Sequence, residues 1–251
     1  MHRFYLPPDQ CRDDELRLTG SEAHHALHVV RLRRGERILV IDGAGRRLVC
    51  EVVEPGRKQV QLRILEQSVA PPLPCQVTLL QALPKGKLIE PIIQKATELG
   101  VARVIPLLAD RTVIQLAPEE RKLKSAKWQS IAMEAIKQCG SAWLPAVEAP
   151  LTVHEFLQRN EKSELALVGS LSEPRAHPRT YFESFRQANG RNPTSAGVWI
   201  GPEGDFTPQE LDAIKAAGAQ PISLGPLVLR AETAAVYSLS VLNYELQAPP
   251  D

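Results

Sequence analysis

VWIGPEGDFT (residues 198–207) and SLGPLVLRAETAA (residues 223–235) decide how this chain folds, because each sets a glycine turn between a strand-like run and a helix-like pattern. Gly197-Val198-Trp199-Ile200 reads as a buried strand ending at Gly201. Thr207-Pro208-Gln209-Glu210 then opens a helix, with Thr207 as N-cap, Pro208 at the first helical position and Glu210 completing a capping box. Pro221-Ile222-Ser223-Leu224 is a second strand ending at Gly225-Pro226, and a helix from about Ala231 carries apolar residues to Leu246. Two strand-to-helix switches this close put glycine backbone and two helix N-termini at one edge of a sheet, where open α/β sheets hold ligands. Neither turn fits GxGxxG or GxxxxGK[ST], which disfavours an ordinary nucleotide site and a nicotinamide dehydrogenase. Gly201, Gly204 and Gly225 also fit the plainer reading of turn glycines that accept positive φ.

Upstream, the pattern is that of alternating strands and helices. Residues 76–80 form a strand, and the helix that follows must start close to Pro91, since proline is tolerated only in a first turn. That helix stops at Gly100, a natural left-handed cap, and residues 101–108 are the next strand. A long helix over residues 119–139 has an apolar stripe of Trp128, Ile131, Ala132, Ala135, Ile136 and Cys139. Lys127, Glu134 and Gln138 form a second stripe beside it, either a solvent face or the border of a site. Residues 165–169 are a strand leading into the loop 170–175, and residues 181–187 a helix with no assigned chemistry.

The first 70 residues differ in character. Runs at 37–41, 48–53 and 60–65 alternate like strands, and Asp42-Gly43-Ala44-Gly45 and Pro55-Gly56 mark the turns between them. A helix starts near Gly20 and carries His24, His25 and His28, which lack a further ligand at metal-binding spacing. Eleven of the first twelve basic residues are arginine, and Arg31, Arg33, Arg34, Arg37, Arg46 and Arg47 crowd together. They are either a solvated surface or a patch that contacts phosphate, for which the planar guanidinium is suited. Ala70-Pro71-Pro72-Leu73-Pro74 breaks the chain into residues 1–70 and 73–251. Cys11, Cys50, Cys75 and Cys139 form no CxxC pair and read as free, non-catalytic thiols. No apolar run is long enough to span a membrane and the N-terminus lacks a signal-peptide core, so a cytoplasmic location is expected.

The pair GPEG and LGPLVLRAETA resembles the signature of the RsmE family, SPOUT-class methyltransferases acting on uridine N3 of 16S ribosomal RNA in the small subunit. KGKLIEPIIQKATELGV adds matches to the family's pattern at Lys85, Gly86, Glu90, Gln94, Lys95, Glu98, Leu99 and Gly100. The resemblance covers essentially the whole chain. It implies an α/β fold: a C-terminal SPOUT-type α/β domain with a trefoil knot, plus an N-terminal PUA-like β-barrel domain that grips RNA. S-adenosylmethionine is the implied cofactor, held by Ile200, Gly201, Pro202, Glu203, Gly204, Leu224, Gly225, Leu229, Thr233 and Ala234. The implied RNA-binding residues are Arg31, Arg33, Arg34, Lys85, Lys95, Glu98, Arg111, Glu134 and Gln138, although Lys95 and Glu98 also suit an exposed helix pair.

A homodimer is implied as well, with no metal and no membrane. Uracil N3 carries a proton, so a group must accept it or stabilise the anion left on the ring. The expectation is that Arg230 stabilises that charge while Glu232 or a water takes the proton; Arg230 as an ion-pair partner of Glu203 or Glu232 is the alternative. Two departures from the family's pattern stand out: Ser141 where arginine is usual, and Asp205 where GPEGG is common. They motivate a rival reading, a catalytically weakened RNA-binding protein of ribosome assembly. The rival enzyme is a SPOUT methyltransferase of the ribose 2′-OH.

Overall fold

The computed structural model describes residues 1–12 and 15–247. Two compact units emerge: Met1–Pro72 together with Met133–Leu144, and Leu73–Ala132 together with the chain from Pro145 onward. The proline run at 71–74 thus coincides with one boundary, while Met133–Leu144 joins the first unit.

In the first unit, β1 (Arg3–Tyr5) and β2 (Glu15–Leu18) precede a short helix α1 (Gly20–His24) that continues as a π-type turn over His25–Val30. Arg31 ends this segment in the left-handed region at φ 60°. Three longer strands follow, β3 (Arg37–Ile41), β4 (Arg46–Pro55) and β5 (Val60–Val69). The order β1-β3-β4-β5-β2 makes a half-barrel around Phe4, Leu16, Leu18, Ile38, Val40, Leu48, Cys50, Val52 and Leu62. Strand alternation is the cause: Leu48, Cys50 and Val52 point inward while their neighbours do not. Asp42, 1 % exposed, builds the β3–β4 turn by accepting from the amides of Ala44 at 2.8 Å and Arg46 at 2.9 Å. Its other oxygen holds the Arg46 guanidinium, so Arg46 is a turn residue and not part of a free phosphate-binding patch.

Met133–Leu144 enters this unit through Lys137, whose side chain is 7 % exposed and whose ammonium lies 2.7 Å from both Glu22 and Glu134. Those carboxylates raise its pKa against the lowering effect of burial. The Arg3 guanidinium donates to the carbonyls of Lys137 and Gln138 at 3.1 and 2.9 Å.

The second unit is an α/β layered structure. Its elements are β6 (Gln76–Ala82), α2 (Ile89–Glu98), β7 (Arg103–Leu108), α3 (Pro118–Cys139, of which the last turns belong to the first unit), β8 (Ala146–Val147), β9 (Leu151–Thr152) and α4 (Val153–Gln158). The rest are β10 (Leu165–Gly169), α5 (Pro178–Asn189), β11 (Ser195–Ile200), α6 (Pro208–Ala216), β12 (Gln220–Ile222) and α7 (Ala231–Leu246). The strands pair in parallel in the order β12-β10-β11-β6-β7-β8, with β9 also beside β7. Helices on both faces bury these strands, which explains why Val198, Trp199 and Ile200 read as one continuous apolar run. On one face Trp199 meets Phe156 edge-on, ring centroids 5.2 Å apart, with Leu80, Ile105, Leu211 and Ile214 around them. On the other, α7 packs on α2, β6 and β11. Gln247 closes the described chain by bonding both the amide and the carbonyl of Cys75, at 3.2 and 2.7 Å.

The predicted Thr207 capping box is present in full, with Pro208 in the first turn. Gly100 takes φ 78° after α2, and Pro91 sits in that helix's first turn. One feature of the strand order matters for function. β11 and β12 pair with opposite sides of β10, so the chain leaving β11 passes over β10 before rejoining the sheet. Such a reversal leaves the loops beyond the strand ends splayed around a crevice.

Candidate functional site

The crevice lies at the C-terminal ends of β10, β11 and β12, where their outgoing loops wall a pocket with about 590 Å³ of empty space. Gly169, Ser170, Leu171 and Arg175 come from the first loop, Ile200, Gly201, Pro202, Glu203 and Asp205 from the second. The third loop and the start of α7 add Leu224, Gly225, Leu227, Val228, Leu229, Ala231 and Ala234. The wall is mainly apolar side chain and bare backbone, with charge confined to Arg175, Glu203 and Asp205. Such a lining suits a flat heterocycle with polar ends.

A Cβ at Gly201 would crowd the turn, 2.9 Å from Asp205 Oδ1 and 3.1 Å from the Phe206 amide nitrogen, so the Asp205 side chain would have to shift. At Gly225 the constraint differs: φ is 112°, and the space a Cβ would take is open. Asp205 occupies the left-handed region at φ 60°. Its carboxylate accepts from its neighbour's amide, Phe206 at 2.8 Å, and from Leu171 of the β10 loop at 3.2 Å. The aspartate therefore ties two of the three walls together. Glu203 reaches a fourth segment, accepting from the Lys85 amide at 2.9 Å in the loop after β6. Behind the turn, Arg111 donates to the carbonyl of Gly204 at 2.6 Å, which holds the GPEG segment from outside. Arg175 bonds Glu173 and the Ser170 carbonyl, both at 3.0 Å, stiffening the first wall.

Of the residues expected to hold a cofactor, Ile200, Gly201, Pro202, Glu203, Leu224, Gly225, Leu229 and Ala234 line this pocket. Gly204 lies on its outer side, beside Arg111. Thr233 and Glu232 line a different depression, between α2 and α7, together with Lys95 and Tyr237. Arg230 is exposed, at the N-cap of α7 between two pocket residues, and makes no ion pair with Glu203 or Glu232 among the described residues. Lys95 and Glu98 pair with each other at 2.8 Å, as the plainer reading had it, and Glu134 pairs with Lys137. Lys85 and Gln138 are exposed, as are Arg31, Arg33 and Arg34, the last three without an ion-pair partner among the described residues. Sequence reasoning did not pick out Leu171, Arg175, Leu227 or Val228. The first two follow β10 in a loop without a motif; only the rule that sites gather at strand C-termini points there.

A larger hollow, about 1400 Å³, lies at the opposite, N-terminal ends of the strands. Three of its four charged lining residues are ion-paired, Arg103 with Glu161 and Glu164 with Arg191 at 2.7 Å, while Lys162 makes no ion pair among the described residues. The Arg191 contact and the Thr194 amide hold the Glu164 carboxyl down at about 2.

Comparison with known proteins agrees with the geometry. The family described as RNA methyltransferase domain matches residues 71–243, and that described as RNA methyltransferase PUA domain matches residues 18–65. The ribosomal RNA small subunit methyltransferase E of Synechocystis sp. is 36 % identical over 98 % of this chain and 78 % of its own length. A Legionella pneumophila protein whose structure holds the cofactor SAM superposes with a TM-score of 0.85 at 31 % identity, covering 96 % of both chains. The Neisseria gonorrhoeae ribosomal RNA small subunit methyltransferase E, solved with S-adenosyl methionine, gives a TM-score of 0.82 at 27 % identity over 97 % of both chains. With a pocket at the strand-order reversal and matches running nearly end to end, this chain belongs to the ribosomal RNA small subunit methyltransferase E family.

Proposed function

We propose that this chain transfers a methyl group from S-adenosylmethionine to N3 of a specific uridine in 16S ribosomal RNA of the small subunit. The observation that carries the reading is the pocket at the ends of β10, β11 and β12, apolar and backbone-walled, in a chain of this family. S-adenosylmethionine supplies, when bound, a methyl group made electrophilic by a sulfonium. Leu224, Leu227 and Leu229 offer apolar surface for the adenine ring, and the bare backbone at Gly201 and Gly225 allows close approach. Proximity and alignment in such a site supply several kcal/mol, roughly 7–11 at best.

Arg230 would stabilise charge on a uracil carbonyl, a role supported by its exposure beside pocket residues Leu229 and Ala231. Glu232 faces the α2–α7 depression, which favours a water over Glu232 as proton acceptor within a single chain. Exposed Arg31, Arg33 and Arg34 would hold RNA phosphates, making binding strongly salt-dependent.

Further parts of the reading concern architecture and assembly. A trefoil knot is supported by the passage of the chain over β10 between β11 and β12, and by the return of α7 onto β6 and β11. A homodimer is supported by the depression between α2 and α7, where Tyr237 is 43 % exposed, and by Leu227 and Val228, each 76 % exposed. A cytoplasmic location fits a ribosomal substrate; among the described residues no helix is long and apolar enough to cross a membrane.

The test is methyl transfer from labelled S-adenosylmethionine to small subunits that lack the modification, with products mapped by nuclease digestion and mass spectrometry. The expected product is 3-methyluridine at one position, and Arg230→Ala should lower kcat by at least about tenfold with little change in cofactor affinity. Label on ribose would move the chain to the 2′-OH enzymes. Tight binding of cofactor and subunit without label would favour an assembly protein, and a monomer by light scattering would remove the dimer.

A further inference from the structure

The turn after α3 carries a feature that the methyl-transfer site does not use. Trp143 is 38 % exposed, whereas Trp128 and Trp199 are 3 % and 4 % exposed. Its indole is not loose: Nε1 donates to the carbonyls of Ala70 and Pro71, both at 3.1 Å. Ser141 fixes the turn from within, its hydroxyl donating to the Trp143 carbonyl at 2.9 Å and accepting from the Trp143 amide at 3.2 Å. Two arginines converge on the same turn. The Arg3 guanidinium lies over Gly140, 3.3 Å from where a Cβ would stand, and Arg47 donates to the Gly140 carbonyl at 3.3 Å. Both are exposed, both bond only carbonyl oxygens, and neither has a carboxylate partner among the described residues. All of these groups belong to the first unit.

An exposed, pre-positioned aromatic beside two unneutralised guanidiniums is the combination that binds single-stranded nucleic acid. The ring packs against Gly45, where an added Cβ would stand 2.6 Å from Cζ2, and its remaining exposed surface is what an unstacked base would meet, while the guanidiniums take the flanking phosphates. We propose that Trp143, Arg3 and Arg47 form a single-stranded RNA contact, separate from Arg31, Arg33 and Arg34, in which Trp143 stacks on an unpaired base. The proposal rests on the reading of the chain as an RNA methyltransferase. A negatively charged protein surface would satisfy the arginines but would leave the ring without its partner.

The probe is an oligouridylate of eight nucleotides, with duplex RNA of equal length as control. Because Trp143 is the exposed tryptophan, its fluorescence reports the contact directly: oligouridylate should quench it and duplex RNA should not. Trp143→Leu should weaken oligouridylate binding, read by anisotropy, by about tenfold. Trp143→Phe keeps a ring while losing the Nε1 bonds, and should bind within about twofold of the wild type. Arg3→Ala with Arg47→Ala should reduce the salt slope of binding by about 1.4.

Saturable binding without quenching would overturn the contact. So would an equal loss in Trp143→Leu and Trp143→Phe, since the tryptophan would then only fasten the segment at Ala70 and Pro71. If Trp143→Leu fails to fold, the wild-type quench and the phenylalanine variant still decide. Methylation of small subunits is measured alongside. A wild type that methylates subunits while Trp143→Leu binds oligouridylate unchanged sinks this contact alone; a wild type that leaves subunits unmethylated sinks the enzyme reading as well.

Discussion

Gly201 and Asp205 show how much of this pocket depends on single atoms. A Cβ at 201 meets a carboxylate oxygen at 2.9 Å and backbone nitrogen at 3.1 Å, both in its own turn, so Gly201→Ala must shift the Asp205 carboxylate that ties this turn to Leu171. Calorimetry should show cofactor affinity falling by about tenfold or more, with a smaller change in thermal stability. Asp205 invites a finer experiment, because its left-handed backbone and its tether to Leu171 are separable. Asp205→Ala keeps the strained φ and loses both hydrogen bonds, and should cost about 1–2 kcal/mol of stability. Asp205→Gly relieves the strain but still frees Leu171, so stability should return toward wild type while cofactor binding stays severalfold weaker. If both variants bound cofactor normally, the tether would have no bearing on the pocket. The glycines were legible in the sequence because the turns demand them. Asp205 was legible only as a departure, since nothing local says that its carboxylate reaches a loop 34 positions away. Thr233 was expected to hold the cofactor with Ala234, and Glu232 to accept the proton; both line the depression between α2 and α7.

Helix α6 is the element whose entry the sequence specified completely. Thr207 accepts from the Glu210 amide at 3.3 Å and Glu210 accepts from the Thr207 amide at 2.9 Å, the reciprocal pair expected from the spacing. Glu210 also accepts from the Asp110 amide at 2.9 Å, so the cap fastens the loop after β7 as well. Thr207→Ala should cost about 1 kcal/mol and lower Tm by about 2–4 °C, whereas Thr207→Ser should be nearly silent; calorimetric scans would check both. Helices α2, α3 and α7 were read within a few residues, but α4 was missed although Thr152 and Glu155 form the same capping box as in α6. Elements without a local signal were not read. β8 and β9 are two-residue strands held by pairing with β7, and the π-type turn at His25–Val30 has no sequence period of its own.

At the scale of the molecule, three of the four thiols are sealed in the cores. Burial pushes Cys11 up to about 11 and Cys50 and Cys75 up to about 12, from the ordinary value near 9. A thiol with a raised folded pKa helps stability fully below its unfolded pKa, and that help is lost as pH rises from 9 toward 12. The destabilisation caused by Cys50→Ala should therefore be smaller at pH 10 than at pH 7.5 in urea titrations. At neutral pH the exposed Cys139 should be the cysteine that thiol reagents modify before unfolding. Strand order was the least legible property of all. The placement of β12 on the far side of β10 depends on pairings between distant segments, which no window of sequence encodes. The clamp of Gln247 on Cys75 joins the last described residue to the entrance of β6, so the second unit closes on itself across 172 positions. During synthesis the first unit's strands are complete long before that clamp can form, and the pocket walls emerge last. A nascent chain thus carries its exposed arginines well before it has a complete pocket.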